Sequence, residues 1–291
     1  MLWTCVESRH LQDAIETHRT CWTTTTIMPE LPQELIDRII DNVHDRASLK
    51  ACSLVCSQWS PRSRKHLFVQ VEFASQRDLE RWRACIHPGP LGLSSLVRCL
   101  FLSEGSGSSP YSSSSLNWLR SSVLSDAASH FQSFSALQAL GILEWRLSTG
   151  RVSSMFRSFG SSLENVTILI LGGVIVHPSI LMTFISHFPR LYDLTISAIL
   201  YGTLDDSVDL HHEFRADVIP THPRGRFSVS HMSTYQMLKW VFDAVILLEP
   251  RFHRVALAHV RYDRWRDYWP LVEGCAELLE GLIIFADATT G

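Results

Sequence analysis

The strongest constraint in this chain is a short apolar signature that returns at long, similar intervals. It reads apolar, two other residues, apolar, one other residue, apolar. It occurs at Phe68-Val71-Phe73, Val97-Leu100-Leu102, Leu137-Leu140-Ile142, Leu163-Val166-Ile168, Leu191-Leu194-Ile196, Phe252-Val255-Leu257 and Leu279-Leu282-Ile284. Successive starts lie 29, 40, 26, 28, 61 and 27 residues apart. Helix-like stretches such as Pro178 to His187 and Met232 to Leu248 fall between them. Parallel strands need a crossover of a dozen or more residues, usually a helix. The spacing therefore predicts strand, crossover and next parallel strand, many times over. A single unit cannot bury its own apolar face, so sequential neighbours must pair. The expected fold class is α/β, with one mainly parallel sheet and helices on its outer face. The 61-residue interval has room for two units.

The signature resembles that of leucine-rich repeats, and four of the intervals fall at or near their usual length of about 20–29 residues. One feature departs from that family. The Asn or Cys expected after the strand is replaced by Trp145, Leu171, Ile199, Val260 and Asp287. The asparagine ladder is missing, so residues 76–291 are expected to form a degenerate leucine-rich-repeat-like α/β domain rather than a regular horseshoe. Within it, serine fills 8 of the 13 positions from Ser103 to Ser115. Such a run has nothing to bury and is expected to be a surface loop.

The N-terminal part has a different texture. Residues 1–26 read as peripheral; Leu11, Ala14 and Ile15 could make one short helical face before the β-branched run Thr23–Thr26. From Glu30 the pattern sharpens. Pro32 suits a first helical turn, and Leu35, Ile36, Ile39, Ile40 and Val43 then recur at helical spacing. Ser48 is a candidate cap for a second helix with Leu49, Cys52, Cys56 and Trp59 along one stripe. Ser60-Pro61 opens a third short helix running to Leu67, and alternation through Phe73 reads as a strand.

Residues 27–75 resemble an F-box, in the style of the large F-box families of mushroom-forming fungi. The resemblance rests on Leu31-Pro32-Gln33-Glu34-Leu35-Ile36 with Ile39 and Ile40, on Leu49, on Cys52-Ser53-Leu54-Val55-Cys56-Ser57-Gln58-Trp59, and on His66-Leu67-Phe68. It covers about 45 residues. It implies docking to a Skp-type adaptor and, through it, to a cullin–RING ubiquitin ligase. It implies a substrate-receptor subunit rather than an enzyme, with an unidentified protein substrate held by the C-terminal domain. The adaptor-binding residues it points to are Leu31, Pro32, Leu35, Ile36, Ile39, Ile40, Leu54, Val55 and Trp59. A unit of this size is near the lower limit for a self-sufficient core. It carries more apolar residues than it can cover, so they are expected to meet both a partner and the C-terminal domain, with the Pro32–Ile36 entry and the Val55–Trp59 stretch mostly facing the adaptor. An adaptor-binding scaffold or competitor that delivers no substrate is the alternative reading, and a small hydrolase fused to an F-box is a third.

Other features narrow the field. A net charge of -3 gives no global positive field for a polyanion, which argues against nucleic acid. Seven scattered cysteines, an odd number, do not form a secreted disulfide framework. Cys52 and Cys56 lack two further ligands at zinc spacing, so no metal is expected. The start of the chain has no basic residue and no uninterrupted apolar core, unlike a signal peptide. The longest apolar run, Val166 to Val176, is too short for a bilayer. A cytoplasmic or nuclear setting is expected, with no membrane partner. His211-His212-Glu213, beside Asp205, Asp206 and Asp209, reads as a solvated acidic loop. There is no Gly-x-Ser-x-Gly elbow and no phosphate loop, so no cofactor is expected. Arg261, Tyr262, Arg264, Trp265, Tyr268 and Trp269 form an arginine–aromatic patch. It reads first as an amphipathic segment closing the array, then as a substrate contact, because these residue types favour protein-binding hot spots. The chain runs five residues beyond Ala286 with no obvious capping helix.

Overall fold

The computed structural model describes residues 31–86, 92–103, 126–144, 149–174, 178–197, 223–230, 251–260 and 265–286, with Val123 and Val245. The expectations for residues 1–26, for the serine-rich stretch beyond Ser103, for the acidic stretch around His211 and for Arg261, Tyr262 and Arg264 lie outside these residues. So does most of Met232–Leu248, although Val245 within it is helical and buried.

Three short helices come first: α1 (Gln33–Asp41), α2 (Arg46–Val55) and α3 (Ser60–Phe68). Pro32 stands just before α1, not inside it. Its carbonyl accepts the amides of Leu35 at 3.0 Å and Ile36 at 3.2 Å, and its ring sets the φ of -54°. The cap of α2 is Asp45 rather than Ser48. The Asp45 carboxylate accepts from the amides of Ala47 at 3.2 Å and Ser48 at 2.6 Å. A carboxylate placed there satisfies two orphan amides and faces the positive end of the helix, which a serine one turn later cannot do. Pro61 lies in the first turn of α3, where its missing amide costs little. Ile36, Ile40, Leu49 and Leu67 form a small core of their own, with Val43, Trp59 and Phe68 packed against it.

Eight strands follow: β1 (Gln70–Phe73), β2 (Cys99–Ser103), β3 (Ala139–Leu143), β4 (Ile168–Gly172), β5 (Asp193–Ser197), β6 (Arg226–Ser230), β7 (Arg254–Val260) and β8 (Gly281–Ala286). They form one sheet in sequence order, and every pair is parallel. The described crossover helices are α4 (Gln76–Ile86), α5 (Ala128–Gln132), α6 (Thr149–Phe159), α7 (Pro178–Ser186) and α8 (Trp265–Cys275). The chain is thus α/β, with a parallel eight-stranded sheet and, among the described residues, eight helices. None of these helices is long and apolar enough to cross a membrane.

The register aligns two apolar rows across the sheet. One runs Val71, Leu100, Leu140, Leu169, Leu194, Phe227, Val255 and Leu282; the other lies two residues on, from Phe73 to Ile284. From β1 to β7 both rows are buried in one continuous core beneath the helices, with Leu79, Trp82, Phe131, Phe159, Phe184 and Leu271. Each of several strands is entered through the same turn. The amides of Val97, Leu137, Val166 and Leu191 donate to carbonyls three residues earlier, at 3.3, 3.2, 3.1 and 3.1 Å. This turn buries the first apolar residue of the signature and points the chain into the sheet.

Two corrections to the signature follow from the register. The fourth unit is Val166-Leu169-Leu171, not Leu163-Val166-Ile168. Leu163 is buried in a 3-10 turn (Gly160–Asn165), whereas Ile168 is only half-buried, on the opposite face from Leu169. The dense run of aliphatics there satisfies the pattern in either phase, and only pairing of Leu169 with Leu140 and Leu194 selects one. The 61-residue interval does hold two units. Strand β6 went unread because Arg224 occupies the position where the signature expects an apolar residue, leaving Phe227 and Val229 alone to carry it.

The register makes a direct prediction. Leu169→Ala should cost about 2–5 kcal/mol, as expected for a fully buried leucine. Ile168→Ala should cost well under that. Urea unfolding midpoints would check this, and equal losses would contradict the assigned phase.

Candidate functional site

The nine candidate docking residues divide into three groups. Ile36 and Ile40, with 1% and 0% exposure, belong to the core of the three-helix unit. They belong to the interior rather than the surface: on consecutive turns of α1 they share one face, which packs against Leu49 and Leu67. Pro32 and Trp59 are structural neighbours of helix starts. Pro32 precedes α1 and Trp59 precedes α3, where Trp59 is partly buried against the small core. The remaining five are open: Leu31 at 49%, Leu35 at 46%, Ile39 at 44%, Leu54 at 65% and Val55 at 61% exposure.

These five are held in place from behind. Leu35 and Ile39 are one turn apart on α1, and Leu31 continues their stripe before the helix begins. Leu54 and Val55 are the last two residues of α2. Gln33 ties the two segments together. Its Nε2 donates to the Gln58 carbonyl at 3.2 Å, just past α2, and to Asp37 Oδ1 at 2.8 Å. The other end of α1 is clamped to α3. Arg62 donates Nε to Asp41 Oδ1 at 2.6 Å and its terminal nitrogen to Oδ2 at 2.5 Å, a two-pronged pair, and His66 Nε2 lies 2.7 Å from Oδ1. The hydrogen bonds from Arg62, and then from His66, hold the Asp41 carboxyl well below the usual carboxylate range. All five remain exposed, so the stripe does not pack on the sheet.

The cysteine stripe of α2 is also redrawn. The helix ends at Val55, so Cys56 is its exposed C-cap, while Cys52 is half-buried. Burial pushes the thiols of Cys99 and Cys275 up, which disfavours the nucleophilic thiolate. Among the described residues there is no group of three His, Cys, Asp or Glu side chains able to hold a metal ion. No protein-family model matches the chain, and no curated protein matches it either.

The C-terminal candidates are placed only in part. Trp265, Tyr268 and Trp269 lie on α8, with Trp269 exposed and Leu271, Val272 and Cys275 buried beneath. The helix is amphipathic, but it is the crossover between β7 and β8 and does not close the array, because β8 follows it in the sheet. The surface that sequence reasoning missed is the other face of the sheet. Alternate strand residues emerge there: Phe101, Ile170, Thr195, Ser228 and Ala256 are all half-buried, and no described helix covers them. Phe101 lies flat across Gly141, where a Cβ would stand 2.1 Å from its ring. Even-odd alternation inside β6 and β7 is the signal that could have exposed this face.

The Asp41 clamp predicts an acid response. A carboxylate whose folded pKa is depressed adds stability that is fully present above its ordinary value of 3.8 and is lost as pH falls below it, toward the folded value. Carbon-detected NMR titration should find Asp41 still ionised where free carboxylates have protonated. Asp41→Asn should remove that part of the acid transition. An ordinary Asp41 titration would show that the clamp is not formed in solution.

Proposed function

We propose that the chain is the substrate-receptor subunit of an SCF-type ubiquitin ligase. On this reading the three helices are an F-box and the parallel sheet is a degenerate leucine-rich-repeat-like receptor domain. The F-box holds a Skp-type adaptor, the sheet domain holds a protein substrate, and a separate enzyme performs the transfer. The setting is the cytosol or nucleus.

One observation carries the reading. Leu31, Leu35, Ile39, Leu54 and Val55 stay exposed on a unit whose own core is already closed by Ile36, Ile40, Leu49 and Leu67. Neither their own unit nor the sheet uses them. Burying one aliphatic side chain fully is worth roughly 1.5–3 kcal/mol. Five together, fixed from behind by Gln33 and Asp41, are a preorganised docking stripe. Preorganisation matters because binding then orders little that was free.

Leu35 and Leu54 are exposed, so truncating them spares the small core. Each loss at an interface anchor is about 2 kcal/mol, and about 4 kcal/mol together, or nearly a thousandfold in affinity. Leu35→Ala with Leu54→Ala should abolish capture of the Skp-type adaptor while circular dichroism stays unchanged. Ile36→Ala is the folding control and should lower the melting temperature. Adaptor retained at wild-type level by the double variant would remove the basis for this reading.

A further inference from the structure

On the face of the sheet that no described helix covers, arginines come together at the start of β6 and β7. Arg226 and Arg254 are direct partners in the parallel register, so their backbones sit one strand spacing apart, about 4.8 Å. Both are exposed, and both emerge on the face opposite Phe227 and Val255, which are buried under the helices. Arg224 and Arg251 stand in the segments that lead into these two strands. The Arg251 amide donates to the Pro223 carbonyl at 2.9 Å, and the His253 amide to the Arg224 carbonyl at 3.1 Å, so the two approach segments run side by side. Both arginines are exposed. None of the four forms an ion pair with a described residue.

Two carboxylates border the patch without forming ion pairs with its guanidiniums, and Asp193 stands beside Arg226 in the register. Asp193 Oδ1 accepts the backbone amide of Arg226 at 2.5 Å, and Glu280 Oε1 faces His253 Nδ1 at 3.3 Å. Like charges on neighbouring strands are destabilising when nothing lies between them. A net positive patch on a chain of net charge -3 is a local feature, not the overflow of a basic protein. Beside it the face turns apolar. In register with Ala256 and Ala258 come Ile283 and Phe285 on β8, at 55% and 61% exposure. The guanidiniums therefore border an aliphatic and aromatic strip within two to four residues along the strand.

We propose that this corner of the sheet docks an acidic segment of a partner protein, in which closely spaced carboxylates meet Arg226 and Arg254 while a neighbouring apolar side chain rests on Ile283 and Phe285. Planar guanidiniums pair with carboxylates through two parallel hydrogen bonds, and two of them side by side select clustered acids over a single one. The apolar strip beside the charges fits a protein segment better than a nucleic acid backbone. This deepens the receptor reading by naming the chemistry of the substrate, and it rests on that reading for its biological purpose.

The test uses the full chain without adaptor, so it is independent of the docking stripe on α1 and α2. The probe is a fluorescent pool of short peptides, each with three Asp or Glu residues and one Leu, Ile or Phe. Matched pools carry Asn and Gln in place of the acids, or a phosphoserine in place of one acid; an oligouridine RNA completes the set. The acidic pool should bind about tenfold or more tightly than the neutral pool, and more tightly than the RNA. Arg226→Gln with Arg254→Gln should weaken it about tenfold or more, with an unchanged melting temperature. Arg98→Gln, just before β2 at the same end of the sheet, should leave it unchanged. No binding of the acidic pool, equal binding by the double variant, tighter binding of RNA, or a requirement for phosphoserine would each overturn the proposal. Failure of the unaltered chain to capture the adaptor, or capture retained by the Leu35→Ala, Leu54→Ala variant, with peptide binding intact, would instead count against the receptor reading alone.

Discussion

Each strand of this sheet buries a face only because its neighbours bury theirs beside it. A parallel pair cannot close through a tight turn; it needs a crossover, and the crossover is what covers the buried face. From Leu100 to Leu257 the two apolar rows are continuous, and helices α4 to α8 contribute Trp82, Phe131, Phe159, Phe184 and Leu271 to the same core. Stability in such an array is a sum over neighbours rather than a property of any one unit. That is why irregular intervals are tolerated. The distance in sequence between strands sets the size of the crossover, while the pairing register sets the core.

The three-helix unit is joined to this array at one residue. Helix α3 ends at Phe68 and β1 begins at Gln70. Val69 between them accepts the amides of Arg98 and Cys99, both at 2.9 Å, through its carbonyl. Phe68 packs against both cores and meets Trp82 edge-on at 6.0 Å. The joint is therefore a shared side chain with no free linker. The stripe on α1 and α2 is consequently held in a fixed relation to the sheet.

The two faces of the sheet divide the work. One is closed by helices and holds the molecule together. The other shows half-buried Phe101, Ile170, Thr195, Ser228 and Ala256, with charge concentrated at the starts of β6 and β7. β8 shares this openness on both sides. It is the last strand in the order, and even Leu282 and Ile284, which continue the buried rows, are more than a third exposed. Edge strands present unpaired backbone groups as well as side chains. The open surface is thus the part of the sheet that the described helices leave uncovered.

The sequence by itself determined the parallel α/β arrangement, because the interval between apolar signatures leaves no shorter way to return a strand. It also determined the three helices, through Pro32, Pro61 and the spacing of Leu35, Ile36, Ile39 and Ile40. It did not separate Ile36 and Ile40 from Leu35 and Ile39. All four have the same apolar chemistry, and only the placement of α3 beside α1, clamped by Asp41 and Arg62, decides which pair points inward. The phase of β4 and the existence of β6 were tertiary decisions too. In one place Val166 to Leu171 offered too many apolar residues, and in the other Arg224 offered too few. A strand's face is fixed by the residues opposite it, which local sequence does not contain. The same reason hid the arginine corner. Arg226 and Arg254 are 28 residues apart in the chain, and only the register makes them neighbours.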